Sequence, residues 1–309
     1  HNRVTRRLLI QPFTLGEARE LAAANGLPVD TASVVESYMI LGGIPYYLSL
    51  LSPKLSLAQN IGRLCFEAGG VLRNEFENLY LSLFKGAERH LLVVRALGRR
   101  LAGLTREEII QAAKLPQSGS LSSVLNELET SGFIRSYTPY GRKRKGTLYQ
   151  LVDHFTLFHL AFIERSQTSD SSYWLKASQT QAYRTWRGYA FEQICLAHLD
   201  QIRQALGIQG VIADVSAWRS YEVDPGAQID LVLDRADRVV SLCEMKYSES
   251  ALTITKALSQ SLRQKRDAFL EETGTRKGVQ VVLITPEGVK RGSHDDAVSA
   301  VVTALDLMK

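Results

Sequence analysis

Between residues 180 and 285 the apolar residues change their period, and this change limits the folds open to the chain more than any other feature. Over "RTWRGYAFEQICLAHLDQIRQALG" they recur at three- and four-residue spacing, with Phe191, Ile194, Cys195, His198, Leu199 and Ile202 in one stripe. That spacing predicts an amphipathic helix. Three runs follow in which apolar residues alternate or cluster as in strands: "VIADVSAWRS", "AQIDLVLD" and "RVVSLCEMKYS". A second helical segment, "ITKALSQSLRQKRDAFLEE", precedes the β-branched run "GVQVVLIT" and a terminal helix. The order α-β-β-β-α-β predicts a mixed sheet with a helix on each side.

Polar residues interrupt these strands at particular places. In "AQIDLVLD", Ile229, Leu231 and Leu233 are expected to share one face, and Asp230 to fall on the other with Val232. In "VVSLCEMKY", Val240, Leu242, Glu244 and Lys246 fall on one face. Glu192 sits on the shoulder of the preceding helix's apolar stripe. Three carboxylates and one ammonium are thereby drawn to the edge of one core, which is costly unless something binds them. A hard divalent cation such as Mg²⁺ relieves the repulsion with oxygen ligands alone. It can then polarise a phosphodiester and acidify a bound water, while a lysine neutralises charge developing on phosphorus. The competing reading is an edge strand whose Glu-x-Lys pair is solvated.

The rest of the chain is built differently. A short strand is expected over 8–13, then a helix capped by Thr14 that stops near Gly26, a second ending at Gly42-Gly43, and a third beginning at "IPYYLSLL". The helical pattern continues to about 102. From 89, three helical segments precede two strands, "FIRSYTPY" and "TLYQLVD", which flank "GRKRKG". Three helices and a hairpin make a winged helix, a variant of the helix-turn-helix. Arg142, Lys143, Arg144 and Lys145 at the hairpin tip would then contact DNA phosphates. The bland alternative is a solvated turn, and the recognition helix is poor in Lys and Arg. A Ser/Thr-rich connector, "RSQTSDSS", marks a further boundary. The expected division is 1–88, 89–165 and 172–309: a multidomain protein of α plus α/β class.

At 309 residues, two or three domains are the natural expectation. No apolar run approaches the roughly 20 residues of a membrane span, and no signal peptide is visible. Cys65, Cys195 and Cys243 are scattered, odd in number and without metal-ligand spacing, as in the reduced interior of a cytoplasmic protein. The histidines have no ligand spacing either; His154 and His159 read as packing residues, and Lys265 as part of a solvated helix face. The net charge of +5 permits a polyanionic partner without demanding one. No G-x-x-x-x-G-K-[ST] occurs, so the chain has no phosphate-cradling loop of its own.

Glu192 on a helix, Asp230 on a strand and Glu244-x-Lys246 on the next strand resemble the PD-(D/E)XK nuclease superfamily over about residues 180–290. The "PD" dipeptide is absent, since Pro225 lies five residues before Asp230. The resemblance implies that Asp230 and Glu244 hold the metal, that Glu192 is a further acidic ligand, and that Lys246 is catalytic. "LLIQPFTLGEARE" with "YMILGGIPYYLSLL" looks like the lid of archaeal-type AAA+/STAND ATPases. There a nucleotide-binding domain precedes the lid, a winged helix follows it, and a nuclease-like domain closes the chain; "YQLVDHFTLFHLAFIE" and "WRGYAFEQICLAHL" resemble that last part. By this resemblance the chain is a C-terminal piece of a longer protein. ATP would bind only to a domain upstream of His1, DNA is the expected partner, and a ring or dimer is implied by analogy. Two functions stand: a metal-dependent DNA endonuclease, or a non-catalytic DNA-binding or protein-interaction module that regulates the ATPase.

Overall fold

The computed structural model describes residues 10–116, 120–142, 146–166, 170, 172–220 and 227–309. Local sequence chemistry starts the first helix, α1 (Leu15–Ala24). Thr14 accepts from the Glu17 amide while the Glu17 carboxylate accepts from the Thr14 amide, so two orphan donors of the first turn are satisfied reciprocally. The strand expected over 8–13 is not formed in its described part, residues 10–13. Phe13 instead donates its N–H to Gly43 O at 2.7 Å and accepts from the Tyr38 hydroxyl at 2.6 Å, so a loop and a side chain take the groups a ladder would use.

The helical part continues with α2 (Thr31–Leu41), capped by Asp30, and α3 (Pro45–Ser49), which opens on proline. α4 (Leu57–Ile61) runs directly into a π turn, Gly62–Phe66, and α5 (Glu75–Leu83) and α6 (Glu88–Arg99) follow. Next come α7 (Arg106–Ala112), α8 (Ser120–Thr130) and an antiparallel hairpin of β1 (Ile134–Tyr137) and β2 (Leu148–Leu151), in register from Ile134↔Leu151 to Tyr137↔Leu148. α9 (His154–Phe158) passes into a second π turn, His159–Ile163, and α10 (Ser172–Ala177) follows.

The long helix expected over 184–207 is two helices, α11 (Gln181–Ala197) and α12 (Leu199–Ala205), which meet at His198 with φ −116° and ψ 39°. His198 is buried there. Its Nδ1 lies 2.7 Å from Ile194 O, and its Nε2 accepts the Leu15 N–H at 2.7 Å. The break therefore places an imidazole where it ties α11 to the start of α1.

The sheet is formed by β3 (Ala213–Arg219), β4 (Gln228–Arg235) and β5 (Val239–Met245), then, beyond α13 (Lys256–Thr273), by β7 (Gly278–Ile284) and β9 (Ala300–Val302). Two short strands, β6 (Leu252–Thr253) and β8 (Val289–Lys290), pair with each other, and α14 (Ala304–Leu307) follows β9. The strand order is β3-β4-β5-β7-β9, antiparallel across the first two pairings and parallel across the last two. The chain is thus a mixture of helices and one mixed sheet, of the α plus α/β class.

β5 is central and buried on both faces, which explains its nearly continuous apolar sequence. On one face Leu231, Leu233, Cys243 and Met245 join an apolar cluster that includes Phe191 and Ile194 of α11. On the other, Val232, Val240 and Leu242 pack with Trp218 and with Phe269 of α13. Ile229 belongs to this second group, not to the face of Leu231 and Leu233 as the alternation predicts. The cause is a β-bulge. Ser216 pairs with Val232 and Trp218 with Ile229, so Asp230 and Leu231 together oppose the single residue Ala217.

Candidate active site

Three elements bring the acidic residues together. Glu244 lies on the α13 face of β5 because it alternates with the core residues Cys243 and Met245. It is 4% exposed. The β4–β5 ladder ends at Leu231↔Cys243, and beyond it the Asp230 carboxylate accepts the Met245 N–H at 3.2 Å. The bulge makes this possible by redirecting Asp230 at the point where the strands part. Glu192 approaches from α11.

Two lysines complete the group. Lys246 Nζ is 2.8 Å from Glu244 Oε1, and Lys265 Nζ donates to both oxygens of Glu244, at 2.7 and 2.6 Å. The predicted Glu244–Lys246 relation on one face is thus observed. Lys265 was expected on a solvated face and is not there. The signal was present in the sequence: Ser259, Leu262 and Phe269 are the buried positions of α13, and Lys265 falls between Leu262 and Phe269 at their helical spacing.

The electrostatics follow from burial. Burial first, then the neighbouring Asp230 carboxylate, pushes the Glu192 carboxyl up to about 8. Burial and then Glu244 push Asp230 up to about 6, and the Met245 amide works against the rise. Burial opposes the charge on Lys246, but Glu244, Asp230 and Glu192 outweigh it and hold the ammonium above the ordinary lysine value. Glu192 and Asp230 thus hold their protons more tightly than ordinary carboxyls, beside the Glu244 carboxylate that Lys246 and Lys265 pair with.

As a donor set, three carboxylates suit a hard cation such as Mg²⁺. The spacing is looser than a closed site. Glu192, Asp230 and Glu244 are not a group whose ligand atoms all lie within 4.8 Å of one another; among the described residues Glu77, His159 and Glu164 meet that test. A cation held by Asp230 and Glu244 would compete with Lys246 and Lys265 for Glu244.

The hairpin adjoins this cluster. Arg135 on β1 donates to the Gln150 side chain at 2.8 Å, and its guanidinium senses the Glu192 carboxyl. Tyr189, one turn before Glu192, donates to Leu101 O and Leu151 O at 3.0 and 3.2 Å. Tyr140, in the hairpin connection, donates its N–H to Ala217 O at 2.8 Å, the residue opposite the bulge. Arg142 is exposed in the same connection, with its N–H on Pro139 O at 3.0 Å. Lys143, Arg144 and Lys145 lie outside the described residues.

Comparison of the chain with protein-family models, curated proteins and solved structures returns no match.

Proposed function

We propose that the chain carries a metal-dependent DNA nuclease site of the PD-(D/E)XK type. In this reading it forms the C-terminal part of a cytoplasmic AAA+/STAND ATPase whose winged helix, residues 89–165, presents DNA to residues 172–309. One observation carries the proposal: the Glu192 carboxyl of α11 feels Asp230, Lys246 and Glu244 electrostatically, the Asp230 carboxylate of β4 accepts the Met245 N–H, and Lys246 pairs with Glu244. Asp230 and Glu244 would hold Mg²⁺, with Glu192 as a further ligand. When bound, the cation polarises the phosphodiester and lowers the pKa of water. Lys246, half-exposed at the strand end, neutralises charge developing on the phosphate. Lys265 fixes the orientation of Glu244.

The test is cleavage of supercoiled plasmid and of single-stranded DNA in Mg²⁺ and in Mn²⁺, with Lys246→Ala beside the wild type. Cleavage by the wild type and not by the variant supports the nuclease. Equal cleavage by both removes Lys246 from the chemistry.

A second reading has its own support. Glu244 is already neutralised by two ammonium groups, as in a structural cluster that needs no cation. The chain would then be a non-catalytic DNA-binding or protein-interaction module, with the ATPase as the working part. Absence of cleavage with retained DNA binding supports this reading.

A further inference from the structure

The second π turn opens onto a cleft of about 190 Å³ in the helical part, away from the acidic cluster at the sheet. The first π turn lines the same cleft through Cys65 and Phe66. π turns are rare and cost hydrogen-bond geometry, so they persist where they place particular side chains. Here the turn is closed by the Glu164 N–H on His159 O at 2.9 Å, which brings residues five apart to the same side. Glu77 reaches the same cleft from α5.

The ligand atoms of Glu77, His159 and Glu164 all lie within 4.8 Å of one another. Arg95 from α6 binds both carboxylates, through Nη2 to Glu77 Oε1 at 3.1 Å and through Nε to Glu164 Oε1 at 2.6 Å. Oε2 of each carboxylate stays outside these ion pairs. Arg95 thus supplies a counter-charge for the acids but leaves the imidazole unserved. His159 is 3% exposed, is stacked on Phe76 at 4.3 Å, and has Nδ1 buried with no hydrogen-bond partner. A buried polar atom without a partner costs about 1–3 kcal/mol and calls for an ion or water to explain it.

We infer that Glu77, His159 and Glu164 form a binding site for a divalent first-row transition metal, with Arg95 as the outer-shell positioning residue for both carboxylates. One imidazole with two carboxylates favours Zn²⁺, Co²⁺ or Mn²⁺ over the all-oxygen preference of Mg²⁺ and Ca²⁺. Three protein ligands facing a cleft leave a coordination position open to a small molecule or water. Arg95, stacked over the Phe76 ring at 5.3 Å, keeps its place beside the carboxylates as outer-shell hydrogen-bonding partners do.

The test uses the chain carrying Asp230→Asn, so that the acidic cluster at the sheet contributes no competing site. Titration with Co²⁺, followed by its visible absorption and by calorimetry, is expected to give one saturable site. Zn²⁺ is expected to displace the Co²⁺. Glu77→Gln and Glu164→Gln change half-exposed side chains and keep their shape, so they should fold. Each is expected to weaken Co²⁺ binding about tenfold or more. His159→Asn should abolish the visible band wherever circular dichroism shows it folded. No saturable Co²⁺ binding, or binding unchanged in both glutamine variants, overturns the site and leaves Glu77–Arg95–Glu164 as a plain ion-pair clamp.

Discussion

Lys265 Nζ lies within hydrogen-bonding distance of both carboxylate oxygens of Glu244, at 2.7 and 2.6 Å, although the two residues are 21 positions apart and on different elements. Lys246 reaches the same carboxylate from the strand that carries it. The two lysines differ in exposure, 22% for the Lys265 side chain and 46% for Lys246. Lys265→Met should therefore destabilise the chain by about 1–3 kcal/mol, as expected for a charge-assisted bond to a buried partner. Lys246→Met should cost about 0–1 kcal/mol. Urea unfolding of the two variants tests the ranking, and equal losses contradict it.

Stability should fall as the pH rises, because two carboxyls are held above their ordinary values. The unfolded chain releases the Glu192 proton near 4.5 and the native chain near about 8. Between these values the native state binds more protons. The Glu192 contribution is thus fully present below the lower value and lost as pH climbs through the upper one. Asp230 adds a smaller loss between 3.8 and about 6. Glu192→Gln should flatten the urea midpoint across this window, gaining a few kcal/mol on the wild type at roughly pH 9 relative to pH 5. An unchanged slope in the variant contradicts the assignment.

Replacing Arg142, Lys143, Arg144 and Lys145 by serine together should weaken DNA binding and flatten its salt dependence. Each phosphate contact removed lowers the slope of log K against log salt by about 0.9 for duplex DNA. Fluorescence anisotropy at several salt concentrations measures the slope. Identical slopes for variant and wild type exclude these four residues from the interface.

Gly43→Ala should cost about 1–3 kcal/mol by overpacking. A Cβ at Gly43 would meet Phe13 O at 2.0 Å and Phe13 N at 2.8 Å, and both are backbone atoms that cannot rotate away. Gly26→Ala offers a comparison without the clash, since a Cβ there meets nothing within 4 Å, although its φ of +69° adds some strain. The thermal midpoint of Gly43→Ala should be the lower of the two.

What the sequence revealed of this molecule depended on range. Thr14 with Glu17, and Asp30 before α2, are signals complete within four residues, and both helices start there. The existence of the strands carrying Asp230 and Glu244 was legible in the sequence, and so was the pairing of Glu244 with Lys246. The break at His198 was not, because it depends on the Leu15 N–H, 183 positions away. Ile229 was misplaced because a bulge is a property of two strands in register, and only one of them is visible in a single stretch of sequence. β9 is three residues long, too short to show a period. Glu77 stands far from His159 in the chain, and His159 and Glu164 meet only because their turn is wound as π.

The bulge at Asp230 has a mechanical consequence. Ala217, the residue it faces, gives its carbonyl to Tyr140 in the hairpin connection, whose ring packs on Phe269 at 5.0 Å. The connection at Tyr140 is thus fastened both to the β3 residue that the bulge faces and to α13, so a displacement of Tyr140 is expected to be felt at the main chain opposite Asp230.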